Sequence, residues 1–125
     1  MALFYTEFLE LVCSDIQAEK QWWISTFDCK ETRLPEWDGP LPSDIALRLP
    51  GANAPTILLR DAADARLAQY EPSSHPLLFC PNLPKAHEHL SRRNLTAGPI
   101  QDSGGAQFFE VHDPEGHAIE ICTEP

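Results

Sequence analysis

Phe8-Leu9-Glu10-Leu11-Val12-Cys13-Ser14-Asp15-Ile16 and His75-Pro76-Leu77-Leu78-Phe79-Cys80-Pro81-Asn82-Leu83 are the two stretches on which the fold turns. Each reads as an apolar strand, a cysteine, a spacer, an Asp or Asn, and then an apolar residue that opens a helix. Asp15 and Asn82 are N-cap candidates, because a short side-chain oxygen accepts from the unpaired amides of a first helical turn. Ser14 with Gln17 is the other capping option at the first site. The spacing predicts helices near residues 16–27 and 83–94. Ile16, Trp23 and Phe27 mark the apolar stripe of one, and Leu83, Ala86 and Leu90 that of the other. Asp28 and Asn94 stand where a helix stop favours a residue that tolerates the left-handed region.

A second correspondence follows each helix. Residues 45–59 and 107–121 both read as strand, short turn containing Gly or Asn, and strand, which is a hairpin. The chain is therefore β-α-β-β-β twice, with unit one at about 4–60, a linker at 61–74 and unit two at about 75–123. Unit one carries a few extra residues after its helix, in the loop Pro35–Pro42. The expected class is α+β, with eight strands curving as one mixed sheet around a groove and the helices outside.

Bulk composition bounds the rest. At 125 residues, 42% hydrophobic and 22% charged, the chain is long enough for one domain with its own core. A formal charge of −10 argues against nucleic acid, whose phosphates need a basic face, and suits solubility or a cationic ligand. No apolar run approaches the roughly 20 residues that span a bilayer. Cys13, Cys29, Cys80 and Cys122 show no Cys-x-x-Cys spacing and no secretory leader precedes them. Reduced thiols and a cytoplasmic location are the expectation.

The closing run Phe108-Phe109-Glu110-Val111-His112-Asp113-Pro114-Glu115-Gly116-His117-Ala118-Ile119-Glu120-Ile121 resembles the final hairpin of the vicinal-oxygen-chelate superfamily (glyoxalase, bleomycin resistance protein, extradiol dioxygenase). Its Asp-Pro-x-Gly turn and last-strand glutamate carry the likeness. Leu11-Val12-Cys13-Ser14-Asp15-Ile16, with Trp22-Trp23 where the first helix usually has an aromatic pair, is similar too. The resemblance implies a homodimer and a ligand groove. It also implies four metal-ligand positions, on the first and last strands of each unit, which fall here at Phe8, Leu58, His75 and Glu120.

Only His75 and Glu120 of these carry donor atoms, whereas a working divalent metal usually takes three or more protein ligands. Glu10 lies on the same strand face as Phe8, roughly 7 Å further along, and is the nearest candidate for a third. The expected function is thus a small-molecule-binding protein without a full metal site, of the kind that sequesters a ligand, and no cofactor is expected. The alternative is a zinc-, nickel-, manganese- or iron-dependent lyase, isomerase or dioxygenase. It would use His75, Glu120 and Glu10, with Glu120 or Glu10 as the catalytic proton carrier.

Strand alternation completes the expected groove. If Asp113–Gly116 closes a four-residue hairpin, Phe109 faces Glu120. The lining is then Phe8, Glu10, Leu58, Arg60, His75, Leu77, Phe79, Gln107, Phe109 and Glu120, with Val111 and Ala118 beside them. Leu9, Leu11, Leu78, Ile119 and Ile121 are assigned to the core. Elsewhere, His87-Glu88-His89 reads as a solvated helix face, because residues two apart on a helix cannot serve one ion. His112 and His117 read as a surface pair across the turn. Of Trp22 and Trp23, one should pack in the core. No nucleophile elbow, P-loop or dinucleotide fingerprint is present.

Overall fold

Leu9, Leu11 and Cys13 are buried while Glu10 and Val12 between them are half-buried, so strand β1 (Leu9–Cys13) presents one face to a core and the other outward. This is the computed structural model of the chain, which describes residues 3–33, 41–64, 76–93 and 97–124. Helix α1 (Ile16–Phe27) follows at once. The Asp15 side chain caps it by accepting the Ala18 N–H at 3.1 Å, and Asp28 ends it in the left-handed region at φ 59°. Strands β2 (Lys30–Thr32), β3 (Ile45–Arg48) and β4 (Ile57–Asp61) complete the first unit. The second unit repeats the order with β5 (Leu77–Cys80), α2 (Leu83–Ser91), β6 (Gln101–Ser103), β7 (Ala106–His112) and β8 (Ala118–Thr123). Asn82 caps α2 through the Lys85 N–H at 3.1 Å. This helix ends at Arg92, short of the expected 94; Asn94 and most of the 35–42 loop lie outside the described residues.

Each unit forms a four-stranded sheet with the same order, β1-β4-β3-β2 and β5-β8-β7-β6, in which the first strand runs parallel to the last. The βαβββ repeat therefore exists as two equivalent sheets, joined by one antiparallel bridge rather than a continuous ladder among the described residues. In that bridge Tyr5 N–H donates to Phe79 O at 2.9 Å and Phe79 N–H to Tyr5 O at 2.7 Å.

One core runs under both sheets on the helix side. Trp23, Phe27, Leu9, Leu47, Ile57 and Leu59 bury it in the first unit, and Leu78, Leu83, Leu90, Phe109, Ile119 and Ile121 in the second. The units are tied at two further places. The Glu115 carboxylate, in the β7–β8 turn, accepts the N–H groups of Ser14 and Asp15 at 2.8 and 3.0 Å, where a helix N-terminus offers unpaired donors. Arg93, after α2, binds both carboxylate oxygens of Asp28 at 2.9 and 3.1 Å and donates to Ser25 O at 2.9 Å. Asp15→Ala removes the α1 cap without touching these ties. It should cost about 1 kcal/mol, read as a lower urea midpoint at unchanged slope.

Candidate functional site

With the helices on one side of each sheet, strand parity fixes what the opposite, helix-free faces carry, although Leu58 and Ala46 on the first of them are themselves buried. In the first unit Phe8, Glu10 and Val12 stand beside Leu58 and Arg60, since Glu10 pairs with Leu58 and Val12 with Arg60. Ala46 continues the face on β3. In the second, Leu77 pairs with Glu120 and Phe79 with Cys122. Leu58 and Glu120 occupy the same place in their sheets, as the repeat predicts.

Tyr5 and Phe8 are exposed aromatics, and the Tyr5 ring lies 5.7 Å from that of Phe79, so the open faces meet along an aromatic seam. Arg60 is held between two carboxylates, Glu10 Oε2 at 3.2 Å and Asp44 Oδ1 at 3.4 Å. Asp44 sits one residue before β3, opposite Arg60. Its side chain is only 2% exposed, and it also accepts the Leu41 N–H at 2.6 Å. Sequence reasoning missed this residue; the clue was an acid beside a strand whose neighbour carries Arg60.

The third strand of the second sheet differs from the expectation. Phe109 pairs with Ile121 and Val111 with Ile119, which places Phe109 and Val111 in the core and Gln107 on the same parity at the exposed strand end. The ring of Phe109 meets His87 of α2 edge-on at 4.8 Å, so it belongs to the helix side. The physical reason is the turn. It runs from Asp113 to His117, between the paired His112 and Ala118, one residue longer than the expected four. A one-residue change in a hairpin turns every side chain of a strand to the other face. Asp113 sets that length, because its Oδ1 accepts the N–H groups of Glu115 and His117 at 3.0 and 2.7 Å.

Phe108, Glu110 and His112 therefore take the open face instead of Gln107, Phe109 and Val111. Glu110 stands directly opposite Glu120. Glu120 N–H turns away to Pro76 O and Glu110 O turns away to Gly98 N–H, so this is a pair without mutual backbone bonds. Side chains in such pairs start about 4.5–5.5 Å apart.

Among the other groups, His75 lies outside the described residues. His87 and His89 are both half-buried rather than solvated. His87 bonds Gly98 O at 2.8 Å, and His89 packs on Phe4 and lines, with Phe27 and Asp28, a cavity of about 370 Å³. His117 pairs with Asp113, Nδ1 to Oδ2 at 2.7 Å, and His112 stands opposite Ala118, so the two histidines are not a surface pair. Trp23 is fully buried and Trp22 packs on it edge-on at 5.2 Å. The four thiols are free, and burial raises the Cys29 and Cys80 values to about 12 and about 11, which makes them poor nucleophiles.

A divalent metal at the positions expected from the sequence is poorly served by Phe8 and Leu58. Leu58 is 1% exposed and offers only carbon, Phe8 likewise has no donor, and Glu10 is engaged by Arg60. Among the described residues no three His, Cys, Asp or Glu side chains converge on one point.

No protein-family model and no curated protein matches the sequence. Solved structures do match over nearly the whole chain. A glyoxalase/bleomycin resistance protein/dioxygenase superfamily member from Sphaerobacter thermophilus aligns at TM-score 0.68 and 18% identity, covering 96% of this chain and 98% of its own. TnmS3, an antibiotic binding protein from a Streptomyces species, aligns at TM-score 0.68 and 16% identity over 97% and 96%. The fosfomycin resistance protein FosX from Mesorhizobium loti aligns at TM-score 0.58 and 10% identity over 97% and 92%. At these identities the likeness is one of architecture, and it agrees with the repeat and the matched sheet orders: this chain has the paired-βαβββ fold of the glyoxalase/bleomycin resistance protein/dioxygenase superfamily.

Proposed function

We propose that this protein binds a mainly apolar, ring-bearing small molecule against the open faces of its two sheets, without a divalent metal. The observation that carries the reading is the pair of carbon-only positions. By the family resemblance Phe8 and Leu58 fall at two of the four positions expected to hold a metal ion, and beside them the lining is Leu77, Phe79 and Phe108. A largely apolar wall with a few polar groups is the composition of a small-molecule site. The polar groups are Glu10, Arg60, Glu110, Glu120 and, at the strand end, His112, and the two opposed glutamates favour a ligand that carries a positive charge. TnmS3, described as an antibiotic binding protein, has the same architecture. A homodimer is part of the proposal, because sheet edges and an aromatic seam call for cover.

The competing reading is a metal-dependent lyase, isomerase or dioxygenase using His75, Glu120 and Glu10. It requires Glu10 to leave Arg60 and a hydrated ion to sit against Phe8 and Leu58. Calorimetric titration with zinc, nickel and manganese separates the two. Binding weaker than millimolar is expected; micromolar binding that disappears in Glu120→Ala would overturn the metal-free assignment.

A further inference from the structure

Glu19 lies on the apolar stripe of α1, one turn above Ile16 and one below Trp23, and is completely buried. Neither of its carboxyl oxygens has a hydrogen-bond donor among the described residues. An ionised carboxylate in that position would be a buried charge without compensation, which folded proteins avoid by neutralising the group. Asp113 and Glu115, which approach from the β7–β8 turn, make ionisation harder still; the Trp23 indole, facing Glu19 from its own helix, works weakly the other way, and the Cys13 thiol faces it from the end of β1. No cation faces it from any of these elements; His117 lies on the far side of Asp113, bonded to its Oδ2.

Asp113 supplies the complement. A carboxylate offers about four acceptor sites. Three of these are taken, by the N–H groups of Glu115 and His117 and by His117 Nδ1. We propose that Glu19 is protonated in the folded protein and donates its hydrogen to the remaining site on Asp113. The two acids then form a shared-proton latch between α1 of the first unit and the β7–β8 turn of the second, and the latch loosens when the proton leaves. Burial, then the neighbouring Asp113 and Glu115, push the Glu19 carboxyl up to about 8. The latch sits beside the Glu115 contact to Ser14 and Asp15, so the docking of the two units is proton-linked at one place.

The sign follows from linkage. Glu19 keeps its proton in the folded state and loses it in the unfolded state between the ordinary value of 4.5 and about 8. Stability from this group is therefore full at low pH, falls as pH rises through that window, and levels above it. Glu19→Gln keeps the shape and an N–H donor for Asp113 but cannot ionise.

Chemical denaturation of the full chain and of Glu19→Gln from pH 5 to pH 8 is the test. The ratio of their folding constants should move in favour of the variant by up to about tenfold per pH unit, since one proton is released. A ratio that stays constant across that range overturns the proposal. A carbon-13 titration of the Glu19 carboxyl in the unaltered protein reads the same site without a variant. A midpoint near 8, falling in Asp113→Asn, is expected; a midpoint near 4.5 overturns the latch.

Discussion

Trp23→Ala should cost about 3–5 kcal/mol, the range for deleting a buried tryptophan, out of the roughly 5–15 kcal/mol that a domain of this kind possesses. The side chain has no exposure, stacks on Phe27 at 4.9 Å between centroids and takes Trp22 edge-on at 5.2 Å. It belongs to the common core under both sheets, and its loss leaves a cavity that α1 cannot close, because both ends of the helix are tied to the second unit by Glu115 and Arg93. Among the described residues the indole N–H has no hydrogen-bonded acceptor, so the loss is one of packing. Trp23→Phe should accordingly recover most of it and remain within about 2 kcal/mol of the parent. Urea unfolding at neutral pH measures both. If the alanine variant lost less than 1 kcal/mol, the shared core would be a misreading of the packing.

Arg60→Ala should be comparably damaging, at about 3–5 kcal/mol, because removing one member of a buried ionic group strands its partners. Here the stranded partners are two like charges, Glu10 and Asp44, the latter almost inaccessible to water. Arg60→Met, which keeps most of the carbon stem, should lose nearly as much in urea unfolding. A methionine variant close to the parent would mean that Arg60 acts through the packing of its carbon stem alone. The same residue frames the open face, so the variant should also weaken any ligand held there.

The repeat was legible because its signals are local. A short capping side chain, an apolar alternation and a helix stop recur in order at Asp15 and Asn82, and the structure keeps both caps and the equivalence of Leu58 with Glu120. The face of β7 was not legible from turn length, which a single side chain decides. Asp113 gathers the amides of Glu115 and His117 and stretches the loop by one residue. The sequence did contain the remedy: Ile119 and Ile121 had been placed in the core, and only Phe109 and Val111 offer them apolar cross-strand partners. Glu19 falls on the α1 stripe between Ile16 and Trp23 but was not singled out in the sequence, and the acid it faces lies in the other unit, nearly a hundred residues away. Pairings between the units, like that of Arg93 with Asp28, follow from how the units dock and leave no mark on local sequence.

The claim at the centre of this account is that the open faces hold a small molecule without metal. Its most direct test is a methyl and amide NMR titration of the protein in EDTA with benzylamine and with benzyl alcohol. The expected result is saturable shifts at Leu58, Leu77, Phe79, Phe108 and Glu120, with benzylamine bound more tightly because Glu110 and Glu120 face it. Shifts on the helix side alone, or none in EDTA and clear binding once zinc is added, would contradict it.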